Sequence, residues 1–265
     1  GRVLTAMVTP MTADGEVDPA GTDAVVEHLL ATGHDGIVVN GTTGEASTLT
    51  DDESIEMVRR VKERAGDRAV VVAGVGSNDT RHAVHMAGRA AQVGADALLL
   101  VSPYYNKPTQ AGLIAHCHAV ADSTELPVVL YDIPGRTGIP FTTETLVALA
   151  DHPRIVAVKD AKGDLAASTR VLAATDLLWF SGEDALTLPL LSIGAIGTVS
   201  VVGHVAGEQY AAMIAAFDRG DLAEARRIHQ ALVPVVDAIM SPSQGAIMAK
   251  AALVELGVIE SAFVR

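Results

Sequence analysis

Cysteine and membrane-spanning stretches are what this chain of 265 residues most clearly lacks. Cys117 is the only cysteine, so an internal disulfide, a cysteine zinc site and a redox pair are excluded. No uncharged run reaches the roughly 18 residues that a bilayer span needs, and no N-terminal stretch has the basic, apolar and small-residue pattern of a signal peptide. We therefore expect a cytoplasmic protein in a reducing compartment, with no membrane partner.

Positive charge and phosphate-binding glycine motifs are also scarce. The formal net charge is -13, which argues against a nucleic-acid partner because phosphate binding requires a basic face. The patterns G-x-G-x-x-G and G-x-x-x-x-G-K-[ST] are both missing, so a nucleotide would lack its phosphate cradle. Hydrophobic residues form 49% of the chain, which excludes a disordered protein.

Apolar runs and helical patterns alternate along the chain. Val, Ile and Leu are continuous within the runs, as in parallel strands covered on both faces. Eight strand–helix units in about 200 residues predict a (β/α)8 barrel over residues 1–203. Residues 204–265 are predicted to add the last barrel helix and two C-terminal helices to the same structural domain. The rival architecture, a doubly wound open sheet, would normally carry a glycine-rich loop after its first strand, and that motif is missing here. The predicted strands cover residues 3–8, 36–39, 69–73, 95–101, 127–133, 155–158, 177–180 and 196–201, and the predicted helices between them cover 19–32, 51–65, 79–93, 110–122, 142–150, 164–174 and 184–193.

Chemically active side chains follow several of these runs, where the carboxyl ends of barrel strands meet. Lys159 follows the sixth run, whereas the other four lysines sit among polar or helical residues. A lysine leaving a buried strand is a candidate Schiff-base nucleophile, although its head could also simply reach water. Tyrosine can give and take the protons of such chemistry, but it also serves packing and subunit contacts. Three of the four tyrosines lie at these ends: Tyr104, Tyr105 and Tyr131.

Two loops could bind carboxylates. Thr42 and Thr43 lie in residues 41–45 (GTTGE), where hydroxyl and backbone N–H groups suit an anion, although such loops are also plain turns. Arg136 offers a bidentate fork, with a solvated surface arginine as the ordinary alternative. The histidine pairs 82/85 and 116/118 fall on predicted outer helices without a carboxylate cluster, so we predict no metal site.

Four segments together resemble the pyruvate-dependent class I aldolases, the family that includes dihydrodipicolinate synthase and N-acetylneuraminate lyase. They are residues 41–45 (GTTGE), 102–108 (SPYYNKP), 131–138 (YDIPGRTG) and 158–160 (VKD), in family order and spacing, and the match runs nearly end to end. Asp132 and Asp160 stand where Asn and Glu are frequent in the family, and we expect activity to survive both changes. The resemblance implies a (β/α)8 barrel with a C-terminal helical extension and a lyase that needs neither metal nor organic cofactor.

The resemblance also implies which residues carry the reaction. Lys159 would form an imine with pyruvate, and Tyr131 would carry the protons. Thr42 and Tyr105 would complete a proton relay to water. Tyr105 would reach across the interface of a tight dimer, two of which would form a homotetramer.

The remaining implied residues bind substrate. Thr43 would hold the pyruvate carboxylate, Arg136 would hold the carboxylate of the second substrate, and Gly182 and Val199 would line the lysine pocket. The threonine pair, the tyrosine pair and the arginine favour L-aspartate 4-semialdehyde as acceptor, in lysine and diaminopimelate biosynthesis. A sugar-acid or 4-hydroxy-2-oxo-acid lyase using the same lysine stays open. A non-catalytic barrel that binds such acids would be marked by loss of Lys159, Tyr131 or the hydroxyl relay, and none of these is lost. The acidic run 181–184 (SGED) disfavours a phosphate ligand.

We predict that lysine inhibits this protein weakly or not at all. Many family members bind lysine in a cleft at the dimer interface, and this chain keeps Asn78 and Tyr104 at that place. However, it has Asp51, Ser54 and His82 where sensitive bacterial members carry two histidines and a glutamate. A lysine titration of the activity checks the prediction, and half-inhibition at sub-millimolar lysine would contradict it.

Overall fold

The computed structural model describes residues 1–265 and contains a closed barrel of eight strands, β1 to β8, which pair in chain order. All neighbouring strands are parallel, and β8 closes the ring by pairing with β1. The predicted (β/α)8 barrel is therefore confirmed. The strands are β1 Val3–Ala6, β2 Gly36–Val39, β3 Val70–Gly74, β4 Ala97–Val101, β5 Val128–Asp132, β6 Ile155–Asp160, β7 Leu178–Ser181 and β8 Gly197–Ser200.

Helices follow the strands on the outside of the barrel, and the last three complete the C-terminal part of the chain. No single helix is long and apolar enough to cross a membrane, and α10 with α11 reaches the required length and composition only as a pair bent by 106°. The helices are α1 Pro19–Ala31, α2 Asp51–Ala65, α3 Thr80–Gln92, α4 Gln110–Asp122, α5 Pro134–Thr137, α6 Thr143–Ala150, α7 Leu165–Ala174, α8 Thr187–Ser192, α9 Gly203–Asp218, α10 Leu222–Met240 and α11 Gly245–Glu255.

The apolar strands separate two packed regions. Leu99 faces the barrel interior together with Val38 and Val72, whereas its neighbours Leu98 and Leu100 pack outward against the helices. Because both faces of the strands are buried, the apolar runs are continuous instead of alternating. The closed parallel pairing of the strands holds all eight carboxyl ends in one ring.

Local signals explain most helix limits, with two exceptions. The capping box at Thr50 and Glu53 is present at the start of α2, and Gly66 ends that helix with a positive φ of 57°. The single helix predicted over residues 184–193 is wrong. A 3₁₀ turn precedes α8, because Pro189 lacks an N–H group and fits only the first turn of a helix. The one-turn helix α5 was not predicted.

Two buried histidines connect the barrel to its outer layer. The Thr5 hydroxyl lies 2.7 Å from Nε2 of His34. Nε2 of His204 accepts a hydrogen bond from the Val8 N–H at 3.1 Å, so its Nδ1 donates to the Val201 carbonyl at 2.7 Å. Burial lowers the pKa of both histidines to about 4. Both imidazoles are therefore neutral in the folded protein at neutral pH.

We predict that mild acid destabilises the fold through these two histidines. The unfolded chain binds their protons near its histidine pKa of about 6.5, before the folded protein does. Their contribution to the free energy of unfolding is complete above that pH. It is lost as the pH falls towards 4, by up to about 3 kcal/mol per histidine. Urea unfolding as a function of pH measures this loss.

Two variants serve as comparison. His204→Gln should flatten the pH dependence of the unfolding free energy across this window, because one of the two proton-linked groups is removed. His85→Gln, on the exposed face of α3, should leave it unchanged. An unaltered pH dependence in His204→Gln would contradict the prediction.

Candidate active site

The centre of the site is formed by the adjacent strands β5 and β6. Tyr131 and Lys159 are register partners in these strands, so both side chains enter the barrel mouth side by side. Nζ of Lys159 lies 4.1 Å from the centroid of the Tyr131 ring. Lys159 is only 4% exposed, and it lies within β6, which extends two residues beyond its apolar run. The barrel thus brings an amine and a phenol together in a nearly buried position.

The loop after β2 supplies the two threonines. Glu45, the last residue of the GTTGE sequence in this loop, has a left-handed backbone with a φ of 57°. A Cβ on Gly44 would lie 3.1 Å from a backbone carbonyl oxygen, so only glycine fits there without displacement. The Thr9 hydroxyl donates a hydrogen bond to the Gly44 carbonyl at 2.7 Å. This tight loop carries Thr42 and Thr43 to the rim of the cavity beside Lys159.

Two cavities meet at the barrel mouth. The inner one has a volume of about 140 Å³ and contains Lys159, while the outer one has about 470 Å³. They share five lining residues, so they form a path from the lysine to the surface. The shared residues are Thr42, Tyr131, Ile133, Arg136 and Gln244.

Of the predicted binding residues, Gly182 and Arg136 line this space, whereas Val199 does not. A Cβ on Gly182 would lie 2.9 Å from Cγ of Lys159, so glycine leaves room for the lysine stem. Arg136, in the unpredicted helix α5, lines both cavities, is exposed and takes part in none of the ion pairs. Val199 packs inside the barrel and does not line the inner cavity, where Val201 lies instead.

Tyr105 is the one predicted catalytic residue that lies away from the site of its own chain. Its side chain is 88% exposed and lines neither cavity. Its backbone is left-handed, with a φ of 72°, which is unfavourable for a bulky residue. The adjacent Tyr104 does line the outer cavity.

Two of the cleft residues considered for lysine binding, Tyr104 and His82, line the outer cavity. His82 lines this cavity, and its Nε2 lies 3.0 Å from the Asp51 carboxylate. Ser54 is buried, and its carbonyl accepts a hydrogen bond from the Asn40 amide. The His82 ring is thus already engaged by a carboxylate.

Buried carboxylates lie on the outer side of β5 and β6. Asp160 accepts hydrogen bonds from the Ser168 hydroxyl at 2.6 Å and the Trp179 indole N–H at 3.1 Å. The Asp132 carboxylate lies 3.2 Å from the Lys162 ammonium. Burial raises the pKa of Asp132, and the nearby Lys162 opposes that rise. Both departures from the family pattern are thus fully partnered.

The sequence patterns did not indicate that a second lysine, Lys250, is buried. Lys250 lies in α11, one of the two C-terminal helices, and it is completely buried, forms an ion pair with Glu45 and donates to the Phe263 carbonyl at 2.6 Å. Burial lowers the pKa of Lys250, while Glu45 opposes the shift. The pair ties the C-terminal helices to the GTTGE loop. No sequence pattern links two residues so far apart in the chain.

The histidines assigned to the outer helices do lie there. His82 and His85 belong to α3, and His116 and His118 belong to α4. His116 is buried, with Nδ1 2.9 Å from the Thr80 hydroxyl. The structure contains no group of three or more His, Cys, Asp or Glu side chains that could hold a metal ion.

A closed (β/α)8 barrel with a buried lysine at its mouth is an arrangement suited to Schiff-base aldolases. The sequence profile of the dihydrodipicolinate synthetase family matches residues 1–265. The 4-hydroxy-tetrahydrodipicolinate synthase of Kineococcus radiotolerans is 56% identical over 265 residues, which are 100% of this chain and 86% of that protein. The chain belongs to the dihydrodipicolinate synthetase family.

Solved structures agree with this assignment. A dihydrodipicolinate synthase from Bacillus anthracis superimposes with a TM-score of 0.96 at 42% identity, covering 100% of this chain and 91% of that chain. The enzyme of Cyanidioschyzon merolae, solved with lysine bound, gives a TM-score of 0.95 at 46% identity and covers 97% of this chain and 89% of that one. The similarity to this family thus covers the whole fold and not only the four short segments.

Proposed function

We propose that this protein condenses pyruvate with L-aspartate 4-semialdehyde to 4-hydroxy-tetrahydrodipicolinate, a step of lysine and diaminopimelate biosynthesis. The observation that carries the proposal is the Lys159 amine, held 4.1 Å from the Tyr131 ring in a small cavity at the mouth of the barrel. Relatives at more than 50% identity are named for this reaction. A cavity of about 140 Å³ beside the amine suits a small oxo acid.

The proposed reaction proceeds through covalent catalysis by the lysine. The neutral Lys159 amine attacks the carbonyl carbon of pyruvate, and water leaves to give an imine. The protonated imine draws electrons from the neighbouring methyl group, which loses a proton and gives an enamine. The enamine carbon attacks the aldehyde, and the amino group of the acceptor then closes the ring at the imine carbon and displaces Lys159. Because the imine is itself the electron sink, the reaction needs neither a metal nor an organic cofactor.

The other site residues take the roles that the family resemblance implies. Tyr131 moves protons to and from the imine, since its phenol ring lies against the lysine amine. Thr43 binds the pyruvate carboxylate through its hydroxyl and backbone N–H groups, and Thr42 passes protons on toward water. Arg136 binds the carboxylate of the second substrate with its two-pronged guanidinium group. Gly182 leaves room for the lysine stem in the pocket, and Val199 packs in the barrel interior.

We predict that borohydride traps pyruvate on Lys159. Incubation of the protein with pyruvate and borohydride, followed by peptide mass mapping, should show a reduced adduct at this residue, because borohydride converts an imine into a stable amine. Lys159→Met should show no adduct, and Lys107→Met, which removes an exposed lysine, should behave as wild type. An adduct at another lysine, or none in the wild type, would refute the mechanism. A panel of aldehyde acceptors then separates aspartate semialdehyde from the sugar aldehydes used by sugar-acid lyases.

We propose further that the protein works in the cytoplasm as a homotetramer made of two tight dimers. The support comes from Tyr105, a large aromatic residue that is almost fully exposed on a loop with left-handed backbone. An exposed tyrosine in this conformation is explained if a second subunit covers it. Tyr105 then enters the partner's site and completes the relay with Thr42 and Tyr131.

Mixing two inactive variants tests the shared site. Tyr105→Phe and Lys159→Met should each be impaired alone. If Tyr105 acts across the interface, subunits dissociated and reassembled at equal amounts should regain about a quarter of the wild-type sites, because each mixed dimer holds one intact site. As a control, Lys159→Met mixed with Tyr131→Phe should regain nothing, since those two residues belong to one subunit's site. No gain in the first mixture would contradict the shared tyrosine.

A further inference from the structure

Glu183 is the only carboxylate that lines the inner cavity. Three charged side chains reach this space: Lys159, Arg136 and Glu183. The proposed function assigns roles to the first two and none to the third. Glu183 directly follows Gly182, which packs against the Lys159 side chain, so Glu183 lies close to this lysine.

The backbone at Glu183 is fixed on both sides. Its carbonyl accepts a hydrogen bond from the Ser181 hydroxyl at 2.7 Å. The next residue, Asp184, is buried. Its carboxylate accepts hydrogen bonds from the Ser200 hydroxyl and, at 3.0 Å, from the Val201 N–H. The loop therefore holds Glu183 in place beside the cavity.

The carboxylate of Glu183, in contrast, has no partner. It forms no hydrogen bond and no ion pair, whereas the nearby buried carboxylates Asp132, Asp160 and Asp184 are all bonded. A partly buried anion without a partner is unfavourable. Burial raises the pKa of Glu183, Asp184 raises it further, and only Lys159 opposes the rise. The site thus contains one negative group that lacks a cation of its own.

The proposed reaction neutralises Lys159, the cation that opposes the raised pKa of Glu183. When Lys159 becomes part of the enamine, its nitrogen is neutral. At this stage the acceptor aldehyde enters, and L-aspartate 4-semialdehyde carries an ammonium and a carboxylate on the same carbon. Arg136 and Glu183 line the same cavity and have the two opposite charges that such a carbon requires.

We propose that Glu183 binds the ammonium group of the acceptor and so makes the enzyme select an amino-aldehyde over the same aldehyde without the amine. This assignment rests on the proposed condensation and adds to it the group that binds the acceptor's ammonium. Glu183 is then a specificity residue, distinct from the lysine and tyrosine that perform the covalent steps.

The test compares L-aspartate 4-semialdehyde with succinate semialdehyde, which has the same chain without the amino group. In Glu183→Gln, we expect kcat/KM for the amino-aldehyde to fall by about tenfold or more, the loss typical of a hydrogen bond to a charged group. The inhibition constant of succinate semialdehyde against the normal acceptor should change by less than about threefold, since this molecule has nothing for Glu183 to bind. Glu183→Asp, which keeps the charge, should recover part of the loss.

Two controls separate recognition from other effects. Glu208→Gln, which changes an exposed residue of α9 that lines neither cavity, should match the wild type with both aldehydes. Borohydride trapping of pyruvate on Lys159 should persist in Glu183→Gln. If Glu183 acted only through Lys159, both aldehydes would be affected alike.

The outcomes distinguish the two proposals. A wild-type protein that does not condense pyruvate with aspartate semialdehyde refutes the proposed function, and the assignment of Glu183 falls with it. An active wild type together with an unchanged preference between the two aldehydes in Glu183→Gln refutes the role of Glu183 alone. An equal loss for both aldehydes also refutes it.

Discussion

The register between β5 and β6 is the constraint on which the rest of the structure depends. Successive side chains of a strand point to opposite faces, so the pairing that sets Tyr131 beside Lys159 inside the barrel also sets Asp132 beside Asp160 outside it. A slip by one residue would replace the amine at the mouth with the Asp160 carboxylate or the Val158 side chain, depending on its direction. The closed ring opposes such a slip because every strand is paired on both sides. The chemistry of the site is therefore a consequence of barrel closure.

Charged groups around the site fall into two sets that differ in whether they have partners. Outside the barrel, Asp132 and Asp160 are bonded to neighbouring side chains, and the buried pair of Glu45 and Lys250 joins the GTTGE loop to the C-terminal helices. Breaking a buried pair of this kind typically costs about 3–5 kcal/mol, so these groups hold the framework in place. Arg136 and Glu183 line the cavity without partners of their own. Their opposite charges are available to a substrate that carries both signs.

Much of the fold could be predicted because its elements leave local patterns. Strands buried on both faces give continuous apolar runs, and capping residues and glycines mark helix ends. Tyr131 and Lys159 stood out because rare residue types followed apolar runs. The patterns failed where backbone pairing continues past the last apolar residue, as in β6, and where one residue breaks a periodic segment, as Pro189 does. The pairing of Lys250 with Glu45 could not be predicted, because a helical pattern does not specify which distant residue a side chain meets.

The sequence by itself determined the order of strands and helices, the family and the residue types available for an imine reaction. Periodicity and short motifs are local properties of the chain, and they survive without knowledge of the fold. Only the tertiary structure decided that Lys159 lies against the Tyr131 ring and that Tyr105 points away from its own site. It alone also decided that Glu183 shares a cavity with Arg136. These relations join residues that lie in or follow different strands, and the packing of the closed barrel sets them.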